Sequence, residues 1–170
     1  MLRLSKLTDY AVVVLIRLAD SEHAASRGCA GAAVQTSPGI AVATGVPEPT
    51  VAKVLKALAG ASLVVSQRGA RGGYRLARPI SAISVADVIA AVDGPIALTA
   101  CVDGAGGCDV QGMCAVRGRW DPVNDAIREA LTGITLAAMR VASVPPAFRV
   151  PENLPMPPTP PHPLHASAAE

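Results

Sequence analysis

The stretch SPGIAVATGVPEPTVAKVLKALAGASLV, residues 37–64, contains two short helical patterns separated by a tight corner at 45–47. Ser37 can cap the first helix, and Pro47 or Glu48 opens the second. The second helix has one apolar face, made of Val51, Val54, Leu55 and Leu58. Two short helices around a glycine corner are typical of a helix-turn-helix, which this stretch therefore predicts.

The residues that follow predict a β-hairpin. A β-type run at 63–66 and a return strand at 74–76 flank the turn RGARGG, residues 68–73. Arg68 and Arg71 lie at the tip of this hairpin. A helix-turn-helix followed by a basic hairpin is a winged helix, in which the second helix enters the major groove and the wing reaches phosphates or the minor groove.

The charges of this region favour a polyanionic partner. The chain of 170 residues has a net charge of +2, yet it carries no Asp or Glu between Pro49 and Ala86. The basic residues in that interval are Lys53, Lys56, Arg68, Arg71, Arg75 and Arg78. An ordinary surface mixes both signs, so this one-signed interval indicates nucleic acid. Aromatic residues are scarce, which argues against the stacking platforms of single-strand binders.

Double-stranded DNA is therefore the predicted partner, contacted by two groups of side chains. Direct base contacts are assigned to the start of the second helix, at Glu48, Thr50 and Lys53. Phosphate or minor-groove contacts are assigned to Lys56, Arg68, Arg71 and Arg75. For each of these residues, the alternative is an ordinary solvated surface position.

Helices are predicted on both sides of the winged-helix pattern. Residues 5–20 carry a helical apolar stripe at Leu7, Ala11, Val14, Leu15 and Leu18. Residues 21–36 have no period and predict a loose connection. A further helix begins at Ser84 and ends at Gly94, with Val85, Val88, Ile89 and Val92 inward.

A heptad pattern predicts a long helix over residues 119–143, opened by Asp121. Its apolar positions are Val123, Ile127, Ala130, Ile134, Ala137 and Val141. A compact winged helix does not need such an apolar seam, so we expect this helix to pack against the same helix of a second subunit in a homodimer. The alternative is that the helix, or part of it, packs back onto its own domain.

The predicted fold class is mainly α with a small β-hairpin wing, a winged helix-turn-helix followed by a long dimerisation helix. The expected units are a DNA-binding domain at 1–95, a cysteine loop at 96–118, the dimerisation helix at 119–143 and a disordered Pro-rich tail at 144–170. The apolar run AVVVLI is too short for a bilayer or a secretory signal, which predicts a cytoplasmic protein with reduced thiols.

Three cysteines lie within the loop CVDGAGGCDVQGMC, at Cys101, Cys108 and Cys114. Thiolates are soft ligands that favour zinc, copper or iron-sulfur clusters. Zinc sites usually pair their cysteines more closely and use four protein ligands, and three thiols make a poor disulfide framework. A catalytic cysteine would need a base such as histidine, and the histidines lie at 23, 162 and 165. An iron-sulfur cluster with a fourth ligand of another type fits best, with zinc as the alternative.

Several stretches of the chain resemble one known family. They are LRLSKLTDYAVVVL, VPEPTVAKVLKAL, RGARGGYRLARP, ISVADVIAAVDGPIALTAC and CAVRGRWDPVNDAIREAL. They are similar to the bacterial winged-helix iron-sulfur regulators, which include the Isc and Suf assembly regulators, the nitric-oxide-sensing repressor NsrR and the rhizobial iron regulator. The resemblance runs from about Met1 to Met139 and is closest to the Suf regulators.

This resemblance implies a homodimeric transcription regulator, usually a repressor, that binds a palindromic operator and has no enzymatic activity. It also implies one iron-sulfur cluster per subunit on the three cysteines, 2Fe-2S in preference to 4Fe-4S. The alternative from another class is a zinc-binding or cluster-carrying redox or interaction protein that does not regulate transcription. The acid-free interval argues against that alternative, because such a protein has no use for a one-signed face.

The sequence departs from the family pattern in two places. The spacing between the first two cysteines is one residue longer than in the Isc regulator. The histidine that completes the cluster there is replaced by Arg117, whose cation cannot ligate metal. Resemblance to the nitric-oxide-sensing branch implies that Asp9, supplied by the other subunit, is the fourth ligand. The other candidates are Asp103, Asp109, Asp121 and a small external thiol, and Asp9 can also simply cap or solvate its helix.

Overall fold

The computed structural model describes residues 4–27, 34–69, 72–100, 102, 114–116 and 118–141. Its elements in chain order are α1 (Lys6–Ser26), α2 (Ser37–Thr44), α3 (Glu48–Gly60), β1 (Val64–Gln67), β2 (Gly73–Leu76), a 3₁₀ turn (Ile80–Ala82), α4 (Val85–Val92), α5 (Asp121–Gly133) and α6 (Leu136–Val141). Helices dominate, and the two strands form one antiparallel hairpin. The predicted fold class is confirmed. None of the described helices is long and apolar enough to span a membrane.

The core lies between α1, α3 and α4, and it is almost entirely aliphatic. Along α1, the predicted inward positions Ala11, Val14, Leu15 and Leu18 are fully buried. The predicted apolar face of α3 is also fully buried, and α4 contributes Val88 and Ile89. Spacing of 3.6 residues per turn brings these side chains to one face of each helix, which is why the sequence pattern predicted them.

Helix α1 is longer than predicted, because residues 21–26 continue it where the sequence predicts a loose connection. Ser21 is buried, and its hydroxyl donates to the carbonyl of Arg17. Glu22 Oε1 accepts a hydrogen bond of 3.0 Å from the backbone N–H of Leu76. This bond ties the extra turns to strand β2, so a tertiary contact stabilises helix that local sequence does not specify.

The two helices of the predicted helix-turn-helix are present, with a change at the first cap. Thr36, and not Ser37, is the N-cap of α2, since its side chain accepts a hydrogen bond from Gly39 N at 3.2 Å. Thr36 has the extended backbone that an N-cap requires, whereas Ser37 is already helical. Gly45 ends α2 with a φ of 71°, a left-handed conformation that glycine adopts without strain.

Close backbone approaches at the wing require glycine. A Cβ on Gly73 would lie 2.6 Å from the carbonyl oxygen of Gln35, which exchanges two backbone hydrogen bonds with Tyr74. A Cβ on Gly72 would lie 2.6 Å from the carbonyl oxygen of Gln67. Gly72 therefore allows the tight turn of the hairpin, and Gly73 allows the close approach of β2 to the backbone of Gln35.

The C-terminal helix is interrupted, contrary to the prediction of one continuous helix over 119–143. Ile134 has an extended backbone, and its carbonyl accepts a hydrogen bond from Val85 N at 2.9 Å. Leu136 N donates to the carbonyl of Ile83, also at 2.9 Å. The residues at the break thus pair with residues at the start of α4. These long-range hydrogen bonds replace the hydrogen bonds that a continuous helix would form at this point.

Helix α6 packs back onto the winged-helix domain. Leu136 is fully buried in the core, and Arg140 forms a salt bridge of 2.7 Å with Asp20 on α1. The alternative in which part of the helix returns to its own domain therefore holds for α6. Side chains on α5 remain at the surface, among them Val123 at 45% exposure. The predicted tail at 144–170 lies outside the described residues.

Candidate nucleic-acid interface and metal-ligand loop

Helix α3 exposes its predicted DNA-contacting side chains on the side away from the core. Glu48, Lys53 and Lys56 are exposed, and Thr50 is half-buried. The first turn of α3 has no side-chain cap, and Thr50 N instead donates to the carbonyl of Pro47 at 2.9 Å. Burial of the apolar face against α1, α2 and α4 fixes the rotation of the helix about its axis, so these polar side chains are available to a groove.

The wing adds two exposed cations to this surface. Arg68 directly follows β1, and Arg75 lies on β2 opposite Val65. Both side chains are exposed, and neither forms a salt bridge within the part of the chain that the structure describes. Arg71 lies outside the described residues.

Arg78 belongs to the same acid-free interval but is held by an internal partner. Its guanidinium lies 2.9 Å from Asp87 Oδ2, and Asp87 also forms a capping box with Ser84 at the start of α4. Partial burial acts to raise the pKa of Asp87, but hydrogen bonds from Ser84 and the charge of Arg78 outweigh it and hold the pKa below its ordinary value. Asp87 is the residue directly after the acid-free interval. A count of the charges within that interval therefore leaves Asp87 out and overstates the number of unpaired basic side chains.

The predicted metal ligands are only partly within the described residues. Cys101 and Cys108, with the alternative ligands Asp103 and Asp109, lie outside them. Cys114 is half-buried and has a free thiol. Asp121 is exposed at the start of α5. Across the described ranges, no group of three His, Cys, Asp or Glu side chains could hold a metal ion, so the ligand set stays a prediction.

Asp9 lies at the start of α1, in a turn fastened to the end of α4. Asp93 Oδ2 accepts hydrogen bonds from the Thr8 hydroxyl at 2.7 Å and from Ser5 N at 3.3 Å. Burial acts to raise the pKa of Asp93, and these hydrogen bonds outweigh it, so the pKa lies below its ordinary value. Asp9 itself is exposed and borders a cavity of about 440 Å³ that Val12 also lines. A second chain can therefore reach its carboxylate.

Asn124 is a residue that the sequence analysis missed. It is the one polar side chain of α5 that is fully buried, and its Oδ1 accepts a hydrogen bond from Leu98 N at 3.1 Å. Leu98 lies three residues before Cys101, so this bond anchors the chain where it enters the cysteine loop. The signal available in the sequence was a single polar residue among the inward positions of an amphipathic helix.

Known proteins share the fold and the sequence pattern of this chain. A family model described as Rrf2, iron-dependent transcriptional regulator, matches residues 4–141. An HTH-type transcriptional regulator of Mycobacterium tuberculosis is 33% identical over 145 residues, covering 85% of this chain and 84% of that protein. The structure of CymR, the global cysteine regulator of B. subtilis, aligns with a TM-score of 0.60 and 28% identity over 82% of this chain and 97% of CymR. IscR of T. potens aligns with a TM-score of 0.55 and 30% identity over 81% of this chain and 85% of IscR.

Proposed function

Because this chain belongs to the Rrf2 family and is a DNA-binding transcription regulator, we propose that it is a repressor whose affinity for its operator depends on an iron-sulfur cluster. Its targets are genes of a Suf-type cluster-assembly system. One observation carries the proposal: three cysteines in a short loop follow a winged helix in a family described as iron-dependent. Thiolates in that number suit iron and sulfide better than they suit a closed zinc site.

DNA recognition is assigned to the outward face of α3 and to the wing. Glu48, Thr50 and Lys53 read base edges in the major groove, where a helix fits. Four cations hold phosphates or enter the minor groove, namely Lys56, Arg68, Arg71 and Arg75. Five of the six described members of these groups are exposed and Thr50 is half-buried, and their position on one helix and one adjoining hairpin supports this assignment.

The functional unit is a homodimer on a palindromic operator. Support comes from two of the predicted heptad positions that remain at the surface, since Val123 on α5 and Ile134 directly after α5 are each 45% exposed. Burial of these side chains against the same side chains of a second copy removes apolar surface from water. Two recognition helices must then lie about 34 Å apart to occupy successive turns of one DNA face.

The proposed ligands are Cys101, Cys108 and Cys114, with Asp9 supplied by the partner subunit. Three thiolates and one carboxylate suit a 2Fe-2S cluster, and a buried amide donor beside the loop, on Asn124, lacks a partner in the described residues. When bound, the cluster supplies iron-ligand bonds that oxygen, nitric oxide or iron starvation can break. Asp9 and the cysteine loop then tie two subunits together, which fixes the relative placement of their α3 helices.

The test is operator binding by the anaerobically purified full chain, before and after the cluster is removed. We expect a brown protein whose affinity for the operator falls by about 5- to 150-fold when the cluster is stripped, the usual range for coupling between two sites. Equal affinity in both forms would remove the sensing role and leave a plain DNA binder. A colourless protein that contains zinc would favour a structural metal instead.

Replacing Arg68 with Ala is expected to weaken binding to all DNA sequences and to flatten the salt dependence of the association constant by about one phosphate contact. Arg71→Ala should act in the same way. The matched control is Arg78→Ala, because Arg78 is a cation of the same interval that is already paired with Asp87. The measurement is DNA affinity as a function of salt concentration, in which the Arg78→Ala control should keep the wild-type slope. The same slope for Arg68→Ala and the wild type would show that the wing tip points away from DNA.

A further inference from the structure

The side chain of Asn124 is only half satisfied. It is fully buried on α5, and its Oδ1 accepts the hydrogen bond from Leu98 N. Its Nδ2 is buried and has no hydrogen-bond partner within the described part of the chain. A buried amide donor that is left unpaired destabilises the fold, so a fully buried asparagine is generally kept where both ends of its amide have partners.

The position of this amide relates it to the cysteine loop. Leu98 is followed by a turn in which Val102 N donates to the carbonyl of Thr99 at 3.1 Å, and Cys101 directly precedes Val102 in the sequence. At the other end of the loop, Cys114 lies seven residues before α5 begins at Asp121. Asn124 is therefore fixed to the segment that enters the loop and belongs to the helix that leaves it.

We propose that Asn124 is a positioning residue for the cluster: its Oδ1 fixes the start of the loop, and its Nδ2 donates a hydrogen bond to a cluster-ligating sulfur. The inference rests on the cluster part of the proposed function and not on its DNA contacts. An uncharged amide suits this task because it offers two donors to an anionic acceptor and still accepts from Leu98 N. Such hydrogen bonds to sulfur tune the reduction potential and the retention of a cluster.

The experiment compares Asn124→Asp with the wild-type full chain after anaerobic reconstitution with ferrous iron and sulfide. Asp keeps an oxygen that can accept from Leu98 N, and it replaces the Nδ2 donors with a second oxygen. We expect the variant to lose its iron to a chelator about 10- to 100-fold more readily, the usual effect of removing a partner of a metal ligand. The visible circular dichroism of the loaded protein should also change, whereas the thermal unfolding of the apo protein should stay cooperative.

Asn124→Leu serves as the second variant, because its side chain branches at the same atom as that of Asn and it places no charge in the core. It removes both hydrogen bonds, so it should lose iron at least as readily as Asn124→Asp. Glu129→Gln is the matched control, since Glu129 is exposed on the same helix and should leave retention unchanged. If the folded Asn124→Asp or Asn124→Leu variant retains iron as the wild type does and has the wild-type circular dichroism spectrum, the inference is overturned. A wild-type protein that takes up no cluster would instead overturn the proposed function.

Discussion

Cys114→Ser is expected to remove the visible absorption of the anaerobically purified protein and to lower its affinity for the operator to that of the stripped wild type. Loss of one thiolate leaves two cysteines and one carboxylate, too few soft ligands to hold an iron-sulfur cluster. Cys114 is half-buried and lies near the start of α5, so a small hydroxyl in its place should leave the fold intact. Absorption spectra, iron content and anaerobic operator binding measure the result.

The matched control for this prediction is Cys29→Ser. Cys29 is the cysteine outside the loop, so this substitution should leave both the spectrum and the operator affinity unchanged. Cys108→Ala should behave like Cys114→Ser, because the proposal assigns the two thiols the same role. A brown Cys114→Ser protein with full operator affinity would contradict the ligand assignment, whatever the wild type binds.

Ile134→Asp is expected to dissociate the dimer and to lower operator affinity by about 100-fold or more, because a monomer engages one half-site and loses the gain from simultaneous binding. The side chain of Ile134 is 45% exposed, while its carbonyl accepts from Val85 N. The substitution therefore places a charge at this exposed apolar position without removing a side chain from the core. Sedimentation velocity and operator binding are the measurements.

Thr132→Asp is the matched control, since it adds the same charge at an exposed position of α5 on the side opposite Val123. It should remain dimeric and bind DNA as the wild type does. If Ile134→Asp also remains dimeric, the subunits associate through another surface, and the exposed apolar residues Val123 and Ile134 have a different role. Monomeric Ile134→Asp with undiminished operator affinity would contradict the need for a palindrome.

The sequence predicted the DNA-binding half of the chain almost completely, because its signals are local. Periodicity placed the buried face of α3, and that face fixes which side chains remain outside. A glycine with a φ of 71° marked the corner between α2 and α3, and the glycines of the wing marked the hairpin. The cysteine ligands and the fourth ligand stay predictions, because Cys101 and Cys108 lie outside the described residues and a ligand from a second chain would leave no local pattern.

Each element of the winged helix is encoded within a few turns of chain, so the local residue pattern was sufficient to predict it. The break in the heptad helix depends instead on long-range contacts, because the hydrogen bonds of Ile134 and Leu136 reach residues about fifty positions earlier. The pairing of Arg78 with Asp87 and the hydrogen bond from Leu98 to Asn124 likewise arise only in the folded chain. Hydrogen bonds between residues that are distant in sequence form only after the intervening chain has folded, so the periodicity of side chains does not predict them.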